Sequence, residues 1–384
     1  MDQDFEVNKS SECSRLPLMN LTLEEDASIY LLDNGISTTM LTVLFTILAV
    51  GIPGNLAFLF VVARVPYMRT TTNVYLATLA VADLMFLISS IVQYNFYFTH
   101  PVRSHLATAS FVGCVGAFFP QYVTYFASIS MVSLVTHERY NAICKPFLNH
   151  GQQGGTRLKQ SLKLVVGSWL VAVGLAGLVM ARYAKLFKTC AIWPDEKPYY
   201  DLPVQLGYCV AVSHWGLIVG HVLESIVFIV AMITNAIMYT LIIINLNTRV
   251  RRKREQNPVT PSSVHTQQAL HIRNQVARML IANGAVFFLC QTPFIALSLG
   301  ILVENLLGVP PDVTYRKLVF ALTVCHVFVF LNSAVNPIIY NVTSHHYRQA
   351  FVEAFSRSNN KNDHKIDCNQ NAVKQSHYVA LAVR

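Results

Sequence analysis

Seven long apolar runs constrain this chain more than any other feature. They lie near residues 38–65, 73–98, 111–143, 162–183, 214–246, 276–302 and 317–340. Each is long enough to cross a hydrocarbon core of about 30 Å as a helix. Leu41 to Val65 is apolar all round, whereas a surface helix of a soluble protein keeps one polar face. Only 13% of the residues are charged, against about 25% in an ordinary soluble domain. The fold class expected is an all-α membrane protein, a bundle of seven transmembrane helices. The fifth run is ambiguous at its start, because apolar character begins at Val204.

Charge orients the bundle. Residues 1–37 hold eight acidic residues against Lys9 and Arg15. Basic residues follow the first run (Arg64, Arg69), the third (Lys145, Arg157, Lys159, Lys163) and the fifth (Arg249, Arg251 to Arg254, Arg273, Arg278). Those three connections share one side, which the positive-inside rule makes cytoplasmic. The expected layout is an extracellular tail over 1–37, the seven-span unit over 38–343, an amphipathic membrane-surface helix over 344–356 and a cytoplasmic tail over 357–384. The start, MDQDFEV, has no basic segment before an apolar core, so the first span is expected to act as the insertion signal. The basic runs are short and lack interleaved aromatics, which argues against nucleic-acid binding. The segment 255–268, with Pro258 and Pro261, reads as a flexible loop.

Cysteines and sequons follow from that orientation. Cys13, Cys114, Cys190 and Cys209 fall outside, where oxidation is favoured, and four cysteines allow three pairings. The sequons at Asn8 and Asn20 lie in the outer tail and are candidate glycosylation sites. Asn341-Val342-Thr343 has the same pattern on the cytoplasmic side, out of reach of that modification.

A few polar groups interrupt the spans. Asn55 sits in the first span, where an amide needs a partner on its own or a neighbouring helix. Asp83 is the one acidic residue in the middle of the first four spans, and a carboxylate there demands a cation, a proton or hydrogen bonds. The third run begins at Cys114 and ends in His137-Glu138-Arg139-Tyr140. Cys114 and Arg139 are roughly 38 Å apart along a helix, enough to place a thiol at one face and an ion pair at the other. No HExxH, GxSxG or Cys/His metal cluster appears, and no internal repeat suggests a transporter.

Taken in order, these motifs resemble the rhodopsin-like (class A) G-protein-coupled receptors. The carriers are Gly54-Asn55, Leu79-Ala80-Val81-Ala82-Asp83, Cys114 followed by Glu138-Arg139-Tyr140, Trp169, and Asn336-Pro337-Ile338-Ile339-Tyr340. Thr72 to Met85, Arg273 to Leu280 and Asn332 to Asn341 look most like the neuropeptide branch, near thyrotropin-releasing-hormone-type and FMRFamide-type receptors. The resemblance implies a plasma-membrane receptor that catalyses nothing, with an extracellular peptide ligand and a heterotrimeric G protein as partners. Receptor kinases and arrestin are further implied partners, with Ser356, Ser358 and Ser376 as phosphorylation candidates. An orphan or lipid-type receptor of the same fold, or a transporter, is the alternative.

The resemblance also implies roles. Cys114 ties to Cys190. Gln93, Gln121, Tyr122, Tyr125, Glu224, Phe294, Ser298 and His326 line a ligand cavity, with His221 near them. Asp83, Ser128, Asn332, Ser333 and Asn336 form an allosteric Na+ pocket, and no other cofactor is implied. Glu138, Arg139, Tyr140, Tyr239 and Tyr340 form the G-protein switch, with Pro146 in the loop that follows. Pro293, Phe287 and Pro337 shape the moving helices. Gln121 replaces the Asp of amine receptors, and Phe330 replaces the retinal-binding Lys of opsins. Three positions depart from the pattern: Ala231 for Pro in the fifth span, Gln291 for Trp in the sixth, and Arg273 for an acidic partner of Arg139. They predict an altered resting state.

Overall fold

The computed structural model describes residues 13, 15–31, 34–100, 102, 110–145, 154–197, 199–255, 261–308 and 315–356. Two elements lie in the N-terminal tail, strand β1 (Leu18–Asn20) and helix α1 (Glu24–Tyr30). The first four spans are α2 (Asn34–Arg64), α3 (Thr71–Thr99), α4 (Phe111–Cys144) and α5 (Gly154–Val179). A hairpin follows, β2 (Lys185–Ile192) and β3 (Gln205–Val210). The last three spans are α6 (His214–Glu255), α7 (Pro261–Leu307) and α8 (Tyr315–Thr343), and the surface helix is α9 (His345–Phe355). All seven spans are long and apolar enough to cross a membrane, which makes this a multi-pass membrane protein.

Local chemistry sets several boundaries. Thr70 caps α3 by accepting from the Asn73 amide, and Ser110 caps α4 by accepting from the Gly113 amide at 2.8 Å. The apolar stretch from Val204 belongs to β3, and the fifth span begins only at His214. Residues 261–268, read as loop, are instead the first turns of α7. Pro261 opens that helix, where its missing N–H costs nothing.

The third span α4 is the axis of the bundle and packs on α3, α5, α6 and α7. Its central residues Ile129, Met131, Val132 and Val135 join Phe58, Leu76, Leu79, Phe228, Met279, Leu280 and Phe287 in the largest core. The outward faces of α5 and α6 expose Val166, Leu170, Leu178, Ile226, Val230 and Ile237, as a lipid-facing surface requires.

Asn55 is buried and donates to the Gly51 carbonyl and to the Ser333 carbonyl, each at 2.9 Å, so it ties the first span to the seventh. Trp169 packs on the core between α4 and α5. The surface helix α9 buries Tyr347, Ala350 and Ala354 and exposes Val352 and Phe355, the amphipathic pattern expected of 344–356.

A small sheet beside the start of α4 has no counterpart among the expected elements. β1 runs parallel to β2, and β2 runs antiparallel to β3. Tail and loop share a small core of Leu21, Ala27, Val102, Ala191, Tyr199 and Leu206. The disulfides correct the expected pairing. Cys114 bonds Cys209, and Cys190 bonds Cys13. The hairpin register explains this: Cys209 faces Leu186 and Cys190 faces Gln205, so the two cysteines sit at opposite ends of the ladder. Cys209 lies just before the fifth span, beside the start of α4. Cys190 pairs in register with Leu18 of β1, next to the tail.

Candidate functional site

A cavity of about 370 Å3 lies between the spans at the disulfide end. Of the eight expected ligand residues, Gln93, Gln121, Tyr122, Tyr125, Glu224, Phe294 and His326 line it. Ser298 does not; it is buried behind the wall and donates to Glu224 Oε2 at 3.1 Å. His221 is buried too, with Nδ1 2.7 Å from the Ser298 hydroxyl. Gln121 donates to Gln93 at 2.6 Å and joins the third span to the second. His326 sits between the rings of Tyr94 and Phe294, with centroids 5.5 and 5.2 Å away.

Arg182 is the wall residue that sequence reasoning missed. It ends the turn after α5 and pairs with Glu224 at 2.8 Å. Two glycines of the fifth span make room for it. A Cβ on Gly216 would stand 2.8 Å from the Ala181 carbonyl oxygen, and one on Gly220 would stand 3.1 Å from the Arg182 side chain. Gly220 is one turn before Glu224, so the notch and the carboxylate share a helix face. The guanidinium also stacks over Tyr183 at 5.1 Å, and the Tyr183 hydroxyl lies 3.1 Å from that of Tyr122. One available signal was a lone Arg ending an apolar run on the side opposite the basic loops.

Below the cavity lies an oxygen cluster. Asp83 is buried and accepts from Asn336 Nδ2 at 2.7 Å. Its Oδ1 and the Asn332 Oδ1 have no hydrogen bond. Ser128, Asn332 and Ser333 line the lower cavity wall. Two oxygens without a hydrogen bond, one of them from a carboxyl group, suit a hard cation. Gln291 is buried on the same wall, and Phe287 packs edge-on against Phe288 at 5.2 Å.

At the opposite end, Arg139 Nε is 2.7 Å from Glu138 Oε2. Thr72 donates to that carboxylate oxygen at 2.8 Å and accepts from Arg139. Tyr239 accepts from Thr136 at 2.8 Å. Tyr340 is buried against Phe58 at 5.0 Å and Tyr347 at 5.8 Å. Tyr140 packs near Ile242 under Lys145, whose ammonium is 5.4 Å from the ring. The sixth span keeps Pro293 within the helix, and the seventh keeps Pro337. Ala231 leaves α6 without a proline, and it runs unbroken. The Arg273 side chain, Pro146, Asn8, Ser358 and Ser376 lie outside the described residues. Asn20 is exposed at the end of β1.

The family model described as 7 transmembrane receptor (rhodopsin family) matches residues 54–340. The chain belongs to the rhodopsin family of seven-transmembrane receptors. It is a receptor family, not an enzyme family. The thyrotropin-releasing hormone receptor of Gallus gallus is 28% identical over 366 residues, covering 90% of this chain and 86% of that receptor. Neuromedin-U receptor 2 of Mus musculus is 28% identical over 326 residues, covering 81% and 74%. Somatostatin receptor type 5 of Mus musculus is 26% identical over 322 residues, covering 83% and 78%.

Proposed function

We propose that this rhodopsin-family receptor lies in the plasma membrane with its N-terminus outside, binds an extracellular peptide and activates a heterotrimeric G protein. The observation that carries the reading is the cavity between the spans at the disulfide end, with the Glu138–Arg139 pair at the other end of the same helix α4. The similar receptors named for thyrotropin-releasing hormone, neuromedin-U and somatostatin support a peptide. A ligand favouring one packing of the sixth span against the third shifts the population towards it. Arg139 then leaves Glu138 and Thr72 and meets the G protein. Asp83, Ser128, Asn332, Ser333 and Asn336 would hold Na+, which would brace the resting arrangement. Receptor kinases and arrestin act afterwards on the polar tail.

The test is nucleotide exchange on G proteins in membranes from cells expressing the chain, challenged with a broad neuropeptide panel. We expect at least one peptide to drive exchange, and Arg139→Ala to abolish it at equal surface delivery. Silence across the panel, together with a solute flux that depends on the chain, would sink the reading.

A further inference from the structure

Two buried side chains on the cavity wall share one chemistry. Glu224 Oε1 and Gln291 Oε1 are buried there without a hydrogen bond, and the two residues are only 1% and 4% exposed. Both atoms are acceptors. His326 adds a third. Its Nδ1 is 2.7 Å from the Leu322 carbonyl and must donate there, which leaves Nε2 an acceptor. Buried acceptors of this kind call for a donor.

Arg182 decides the charge of that donor. It pairs with Glu224 Oε2, so the two formal charges cancel. An ammonium or guanidinium entering beside them would meet Arg182 in a low-dielectric pocket. A carboxylate would meet Glu224. A neutral N–H meets neither penalty.

We propose that the cavity receives a neutral N–H-bearing group of the ligand, of the amide, imidazole or indole class, held by Glu224 Oε1 and Gln291 Oε1, with Arg182 excluding cations. This rests on the peptide reading above and names the chemistry of its buried end. Gln291 is then a specificity residue.

The experiment uses pools of short peptides scanned position by position. Each position is fixed in turn as Asn, Gln, His or Trp, as Lys or Arg, or as Asp or Glu, and G-protein nucleotide exchange is read in membranes. At the position that controls activity, neutral-donor pools should be about tenfold more potent than charged ones, as expected when like charges are juxtaposed. Arg182→Gln and Gln291→Glu each make the wall more negative by one charge, and each should move the preference about tenfold towards Lys and Arg. Gln291→Glu leaves the Arg182–Glu224 pair intact, so it carries the test if Arg182→Gln fails to reach the surface. Charged pools leading in the wild-type receptor, or variants that keep the wild-type order, would overturn the inference alone. Silence of every pool would overturn the peptide reading and this inference with it.

Discussion

Thr72 bridges the Glu138–Arg139 pair, donating to the carboxylate and accepting from the guanidinium. Its removal leaves the direct 2.7 Å contact in place but takes away two bonds to charged groups. Hydrogen bonds to charged partners contribute about 1.5–3 kcal/mol, and partial exposure here reduces that to about 1 kcal/mol. Thr72→Ala should therefore raise ligand-independent nucleotide exchange several-fold, measured at matched receptor density. Unchanged basal exchange would show that Glu138 restrains Arg139 unaided. Asp83→Asn, near-isosteric, should remove any sodium dependence of agonist affinity, and persistent dependence would exclude the oxygen cluster. Asp83, Glu138 and Arg139 were legible in sequence because a charge inside an apolar run has few uses. Arg182 was not, since an arginine ending a span ordinarily reaches for the interface. Its burial comes from the notch at Gly216 and Gly220 on another helix.

At the scale of elements, the fifth and sixth spans meet where Tyr239 lies against Gly284. A Cβ on Gly284 would overlap the Tyr239 ring, with Cζ at 2.6 Å. Tyr239 also accepts from Thr136 of the third span, so one side chain holds three spans together while Arg139 is paired. Gly284→Ala should expel the ring and raise basal exchange. Thr136→Val should do the same more weakly, because it removes the part-buried hydrogen bond to Tyr239, of about 1 kcal/mol, along with a bond to the Val132 carbonyl of its own helix. Lowered basal exchange in both would mean that the seat serves the activated arrangement instead. The spans themselves were legible from length and apolarity. The helical start of α7 was not, because Pro261 reads as a breaker unless it is the first residue of a helix. Nor was the sheet, whose strands are three to eight residues long and depend on partners far away in sequence.

On the scale of the whole molecule, the two disulfides have different roles. Cys114–Cys209 fixes the hairpin to the axial helix and closes a segment of 95 residues. Cys13–Cys190 closes 177 residues and fixes the tail to the hairpin, where β1 and the Leu21–Leu206 core already hold it. The expected Cys114–Cys190 pairing followed from resemblance, while the four cysteines themselves had left three pairings open, because hairpin register decides which cysteine faces the tail. Paired Cys114→Ser and Cys209→Ser replacements should cut surface delivery sharply, because the hairpin loses its covalent anchor to the axial helix. Paired Cys13→Ser and Cys190→Ser replacements should leave delivery largely intact, since β1 pairing and the small core remain. They should lower peptide potency, by about tenfold, if the tail forms part of the entrance wall, because the ligand must then order it. Equal delivery defects in both double variants would show that the sheet folds as one unit with the bundle. Full delivery with unchanged potency in the second would remove the tail from the binding site.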